Sequence, residues 1–151
     1  MKLALVALQA LQLVFLSVHD WVPLGRFNDL EGVRRENTYR EIVDITLIGA
    51  VPVTIGLAAC LFFWRDPYPL WLHVWLWGTY GLLLAGATRA WWVPYLGRKD
   101  EARAKRFRTM FGSTHSFLPV RNGIAPNTLH VAFHMLLLAT LTLLALSELL
   151  R

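Results

Sequence analysis

Charge is scarce in this chain and nearly absent from long stretches of it. Only 17% of the 151 residues are charged, against 56% hydrophobic, a balance too apolar for an ordinary soluble domain of this size. Cysteine is limited to Cys60, which excludes an intramolecular disulfide and leaves a small buried hydrophobe as its reading. No His-Glu-x-x-His pair and no Glu-x-x-His repeat occurs, so two helical metal signatures are missing. The apolar residues do not alternate, which excludes a membrane barrel. Nor does an A-x-A-like cleavage site with a hydrophilic start follow the first apolar run. The next residues are His19-Asp20-Trp21, so that run is read as a helix, not a removable signal.

What the sequence does have is four runs nearly free of charge, Leu3–Val18, Ile45–Trp64, Leu70–Thr88 and Leu129–Ser147. A helix crosses the hydrocarbon core with about 20 residues, and lipid admits only helices or closed barrels. The expected fold is all-α: one polytopic membrane domain over residues 1–151, a four-helix transmembrane bundle with spans at about 3–19, 41–64, 69–92 and 127–148. Short amphipathic helices are expected in the first and third connections.

The net charge of +5 and the pI near 9.9 suggest nucleic acid at first sight. Their distribution argues for a membrane. Arg26, Arg34, Arg35 and Arg40 lie between the first two runs; Arg89, Arg98, Lys99, Arg103, Lys105, Arg106, Arg108 and Arg121 lie between the last two. Only Lys2, Arg65 and Arg151 fall elsewhere. The positive-inside rule then puts both basic connections in the cytoplasm and both termini outside, in the cytoplasmic (inner) membrane. The expected partner is the bilayer with its anionic headgroups, not nucleic acid.

Local signals refine the helices. Gln9 and Gln12 should face the bundle, because an amide in lipid needs a partner. Asn28 and Asp29 can cap a short helix over residues 30–36. Thr38 and Glu41 form a Thr-x-x-Glu capping box. Pro52 kinks its span, and Gly49 and Gly56 permit a close neighbour, as Gly78, Gly81 and Gly86 do in the third span. Trp91 and Trp92 read with Trp21 as an interfacial belt, Trp75 and Trp77 as lipid or packing residues with a cavity lining as the alternative, and His73 as an isolated interfacial histidine. Pro94 and Gly97 should end the third helix, and Asn127 should cap the fourth.

Polar residues converge on the cytoplasmic level. His130 and His134 are one helical turn apart on a single face. His19 and Asp20, Glu41 and Asp44, and Arg89 come to the same level from the other spans, with His115, Arg121 and Asn122 in the loop before the last helix. The pattern predicts a pocket floored by Asp44 and His134. His115, His130, His134 and Asp44 are the candidate catalytic groups; Glu41, Arg89, Arg121, Asn122, His19 and Asp20 are candidate ligand contacts. His130, His134, Asp44 and Glu41 form a candidate set for a divalent metal, and His19 with His130 or His134 a candidate axial pair for haem.

These residue types suit acid–base work or ligand binding on a lipidic or anionic small molecule. Two alternatives carry the same residues. One is a proton-coupled transporter working as a homodimer, with Asp44 and His134 as relay. The other is a non-catalytic assembly or scaffold subunit, whose polar network locks loops to helix ends.

Overall fold

The computed structural model describes residues 1–98 and 100–150; Lys99 and Arg151 of the basic set lie outside them. The elements in chain order are α1 (Lys2–Val18), α2 (Leu30–Glu36), α3 (Tyr39–Phe62), α4 (Leu70–Ala87), α5 (Val93–Leu96), α6 (Glu101–Phe111) and α7 (Thr128–Leu149). A π-helical turn, Thr88–Trp92, joins α4 to α5. No strand occurs among the described residues; the single extended pairing is a bridge between Arg121 and Ile124. The all-helical expectation therefore holds. Two helices, α3 and α7, are long and apolar enough to cross a membrane, and α1 is a shorter apolar helix.

The four long helices pack in cyclic order: α1 touches α3 and α7, and α4 touches the same two. Leu16, Val53, Leu76, Leu137 and Leu144 form part of their common core. Gly49 and Gly56 make the α3 contacts possible. A Cβ on Gly49 would sit 2.9 Å from the Leu16 side chain, and one on Gly56 would sit 3.1 Å from that of Leu76. The reading of α4 needs correction. Gly78, Gly81 and Gly86 have no atom within 4 Å of a Cβ, so they leave space open instead of admitting a neighbouring helix.

Gln9 and Gln12 are fully buried, as expected of amides in an apolar bundle. Gln12 donates to Thr140 Oγ1 at 2.7 Å and to the Leu136 carbonyl, and Gln9 donates to Cys60 Sγ at 3.3 Å. At the end that holds the chain termini, Lys2 Nζ donates to the carbonyls of Phe63, Trp64 and Asp66 and so closes the C-terminus of α3. His73 is not isolated there: its Nδ1 lies 2.8 Å from a Glu148 carboxylate oxygen. Helical periodicity places groups along one helix but cannot pair helices remote in sequence.

The opposite end is closed by α2 and α6. Asp29 caps α2 by accepting from the Gly32 N–H at 2.8 Å, and Ser113 Oγ donates to its other oxygen. That hydroxyl, with the Gly32 N–H, holds the Asp29 carboxyl below its usual range. The two helices cross at Gly32, where a Cβ would collide with the Thr109 carbonyl. Val33, Ile42 and Met110 make a second core beneath them. The predicted capping box at α3 is present: Glu41 accepts from the Thr38 backbone N–H, and Thr38 Oγ1 accepts from that of Glu41. Asn28 does not cap α2. Its amide donates to the His19 and Val22 carbonyls, closing the end of α1.

Pro94 does not stop the third long segment. Proline lacks an N–H and clashes with the carbonyl four residues back; a turn widened to five-residue bonds relieves both. The Val93 N–H reaches the Thr88 carbonyl across that wider turn, and the helix continues to Gly97. Such π-bulges reorient side chains and recur at functional sites.

Candidate functional site: a histidine-ended groove

The π-turn brings Trp91 and Trp92 onto α7. Trp91 is buried, its ring 4.4 Å from that of His130. Trp92 donates its indole N–H to His134 Nδ1 at 3.1 Å. From α1, Phe15 stacks on Phe133 and on His19, both at 4.3 Å between centroids. His19 and His130 stand edge to face at 5.5 Å, and His130 and His134 are 6.4 Å apart. The three histidines thus form one aromatic-walled cluster at the helix ends, closed by Phe107 and Phe111 of α6, which pack on Trp91.

The protein partners assign a hydrogen-bonding role to each ring. His19 faces acceptors on both sides, the Phe15 carbonyl at Nδ1 (2.9 Å) and Asp20 at Nε2 (3.1 Å); both bonds form together only in the imidazolium. Asn127 Oδ1 accepts from the His130 backbone N–H at 2.9 Å and faces His130 Nδ1 at 2.7 Å. An oxygen is an acceptor, so His130 Nδ1 carries a proton. Indole is only a donor, so His134 Nδ1 is bare, and its neutral ring carries the proton on Nε2. Neither Nε2 has a hydrogen-bond partner among the described residues: the bonds of these two rings there are to Asn127 and Trp92. Neither is among the buried side-chain atoms left unbonded, which include Gln9 Oε1, Gln12 Oε1 and the Tyr80 hydroxyl.

All three histidines line one cavity of about 1040 Å³, at the upper end of the roughly 300–1,000 Å³ usual for small-molecule sites. It is a groove between α3 and α4, floored by Phe15 and Leu16 of α1 and Phe133 of α7. Gly78 and Gly86, where a Cβ would meet nothing within 4 Å, leave it open on the α4 side. Trp75 lines it and donates its indole N–H to the Pro52 carbonyl at 3.0 Å, whereas Trp77 stays outside. The walls run on α4 from Leu70 to Ala87 and on through Trp91, about 30 Å at 1.5 Å per helical residue.

Several sequence candidates lie elsewhere. Asp44 is exposed, and its ionic partner is Arg40 at 3.8 Å; it does not floor a pocket with His134. Glu41 is exposed and engaged in its capping box. The four-residue metal set is therefore not assembled, and no group of three potential ligands comes together among the described residues. Of the haem pair, His19 and His130 are neighbours, but their edge-to-face contact at 5.5 Å leaves no room for a macrocycle between them. Arg89 is exposed and outside the groove lining.

His115, Arg121 and Asn122 organise the loop. His115 Nδ1 lies 2.8 Å from Thr128 Oγ1, and its backbone bonds Arg26 and Thr128. Arg121 stacks over Tyr95. Asn122 donates to the carbonyls of Pro94, Tyr95 and Gly97, closing α5. Asn122 and Gly123 have φ of 54° and 76°, the two left-handed residues of a tight reversing turn. The Asn-Gly dipeptide is a strong signal for that turn, and the sequence reading passed over it. It also passed over Phe15 and the cap Asn127 as parts of the cluster, and left Trp91 and Trp92 at the interface. No family model, curated relative or solved structure matches this chain.

Proposed function

We propose that this chain is a four-span protein of the cytoplasmic membrane that binds a lipophilic small molecule in the groove between α3 and α4. The ligand's polar end lies against His130 and His134, beside the His19–Asp20 pair. The observation that carries this reading is the groove: apolar along its length, edged by exposed Ile48, Val74 and Leu82, and ending on imidazoles. Ligand sites have this composition, an apolar enclosure with few polar groups at one place.

The packing supports four spans. α1 and α4 lie against α3 and α7 and share their core, so they cross the same layer. Only 22% of the most apolar stretch of α3 is buried, and 33% of that of α7, where the core helix of a soluble protein hides most of its surface. Ile48, Phe62 and Leu149 stand exposed at 73%, 80% and 80%, a surface suited to lipid. The basic residues of the two long connections support an orientation with that end toward the cytoplasm.

The test is native mass spectrometry of the protein purified in nanodiscs formed directly from its membrane. An adduct extractable into organic solvent is expected, and it should disappear in Gly78→Phe and Gly86→Phe, whose side chains fill the groove. Adduct-free protein that also fails to bind a single-chain fluorescent lipid overturns the reading. Orientation is tested with Ser113→Cys in a Cys60→Ala background: labelling by an impermeant maleimide from outside would reverse it.

A further inference from the structure

We infer that the groove selects an uncharged head bearing a hydroxyl group; this rests on the ligand-binding role proposed above and names the chemistry of the ligand's polar end. His130 and His134 line the groove, the Nε2 of each has no hydrogen-bond partner among the described residues, and the protein gives the two nitrogens opposite roles. His134 Nε2 is a donor, because the Trp92 indole occupies Nδ1 as a donor. His130 Nε2 is an acceptor, because Asn127 Oδ1 takes the Nδ1 proton and is itself held by the His130 backbone N–H. Neither ring can exchange roles without losing a bond to its own helix cap or to Trp92.

A donor or acceptor that a ligand covers and leaves unmet costs more than a made bond returns, so the head must serve both nitrogens. A hydroxyl does, since it donates and accepts. A carbonyl or an ether only accepts and leaves His130 unmet. A carboxylate or a phosphodiester also only accepts, and it would set an anion against the acceptor nitrogen of His130. No carboxylate contacts His130, so a second proton there would be a buried cation without a counter-ion. The aromatic faces of Phe15, Trp91 and Phe133 accommodate either a thin alkyl head or a flat ring. Long-chain alcohols and tailed hydroquinones share the required chemistry.

The experiment measures competition binding in nanodiscs, each probe at equal mole fraction in the membrane. The probes are 1-hexadecanol, its methyl ether, palmitate, and a decyl-substituted hydroquinone with its oxidised quinone. The alcohol is expected to bind about 5–10-fold more tightly than the ether, the loss that one unmet buried partner gives, and the hydroquinone to exceed the quinone similarly. Whichever of the alcohol and the hydroquinone binds more tightly identifies the source of the hydroxyl. In His130→Phe, which keeps the ring packed on Trp91, the alcohol-to-ether ratio should fall to about one. Equal binding of alcohol and ether by the wild type overturns the head assignment and leaves the groove reading standing, as does tightest binding of palmitate. No binding by any probe overturns both.

Discussion

Trp92 donates its indole N–H to Nδ1 of His134 at 3.1 Å, and this one bond decides which face of the imidazole the groove receives. Trp92 reaches α7 because the helix widens at residues 88–92 ahead of Pro94. The first prediction follows from that bond. In ¹⁵N-histidine spectra the wild type should show His134 in its Nε2–H form, and Trp92→Phe should release the ring to a mixture of tautomers. The substitution should cost about 1 kcal/mol of stability for the lost bond, with a further contribution from the smaller ring. A His134 spectrum identical in both proteins would mean that Trp92 does not set the tautomer.

The helices and their caps were legible from local signals: Asp29, Thr38 with Glu41, and Asn127 all act within four residues of themselves. The histidine level was legible too, since i and i+4 spacing is a property of one helix. Its partners were not. Asp44 and Glu41 have suitable chemistry and depth, but depth does not fix azimuth, and both turn outward. Trp91 and Trp92 were assigned by hydropathy to an interface, because nothing in the local pattern reveals that Pro94 widens the preceding turn. Gly78, Gly81 and Gly86 show the same limit: small residues permit close packing, and they equally leave a void when no helix arrives.

The crossing of α2 and α6 supplies a stability prediction. A methyl group at Gly32 meets the Thr109 carbonyl and lies 3.0 Å from that of Met110, backbone atoms that cannot rotate away. Gly32→Ala should therefore lower stability by about 1–3 kcal/mol, despite alanine's better helix propensity. Gly81→Ala, where a Cβ meets nothing within 4 Å, should gain up to about 1 kcal/mol from that propensity. Denaturant titration in detergent micelles compares the two, and a loss at Gly81 equal to that at Gly32 would refute the packing argument.

Acid sensitivity of the cap made by α2 and α6 has a definite sign. The Ser113 hydroxyl and the Gly32 N–H favour the Asp29 carboxylate, so its folded pKa lies below the ordinary value of 3.8. Its contribution is fully present above that unfolded value and is lost as pH falls through the lower folded value. Asp29→Asn should be less stable than the wild type at pH 7 by about 0.5–2 kcal/mol, the range for a helix cap, and the gap should close below pH about 4. Ser113→Ala should lose part of the same increment over the same window. A gap that stays constant down to pH 2 would assign the effect to shape instead of charge.

The two acidic residues nearest the candidate histidines in sequence reasoning separate cleanly in the structure. Asp20 lies 3.1 Å from His19 Nε2, with both side chains largely buried, whereas Asp44 is 57% exposed and 3.8 Å from Arg40. An exposed pair one turn apart on a helix contributes about 0.3–0.5 kcal/mol, so Asp44→Asn should leave stability and ligand retention nearly unchanged. A hydrogen bond to a charged group contributes about 1.5–3 kcal/mol, and Asp20 supplies that acceptor at His19 Nε2. Asp20→Asn exchanges a charged acceptor for a weaker neutral one, and should reduce both stability and retention of the ligand proposed for the groove. Thermal unfolding and adduct occupancy, read on the same samples, decide the matter. Sensitivity at Asp44 with indifference at Asp20 would move the functional centre back to the pocket that the sequence predicts.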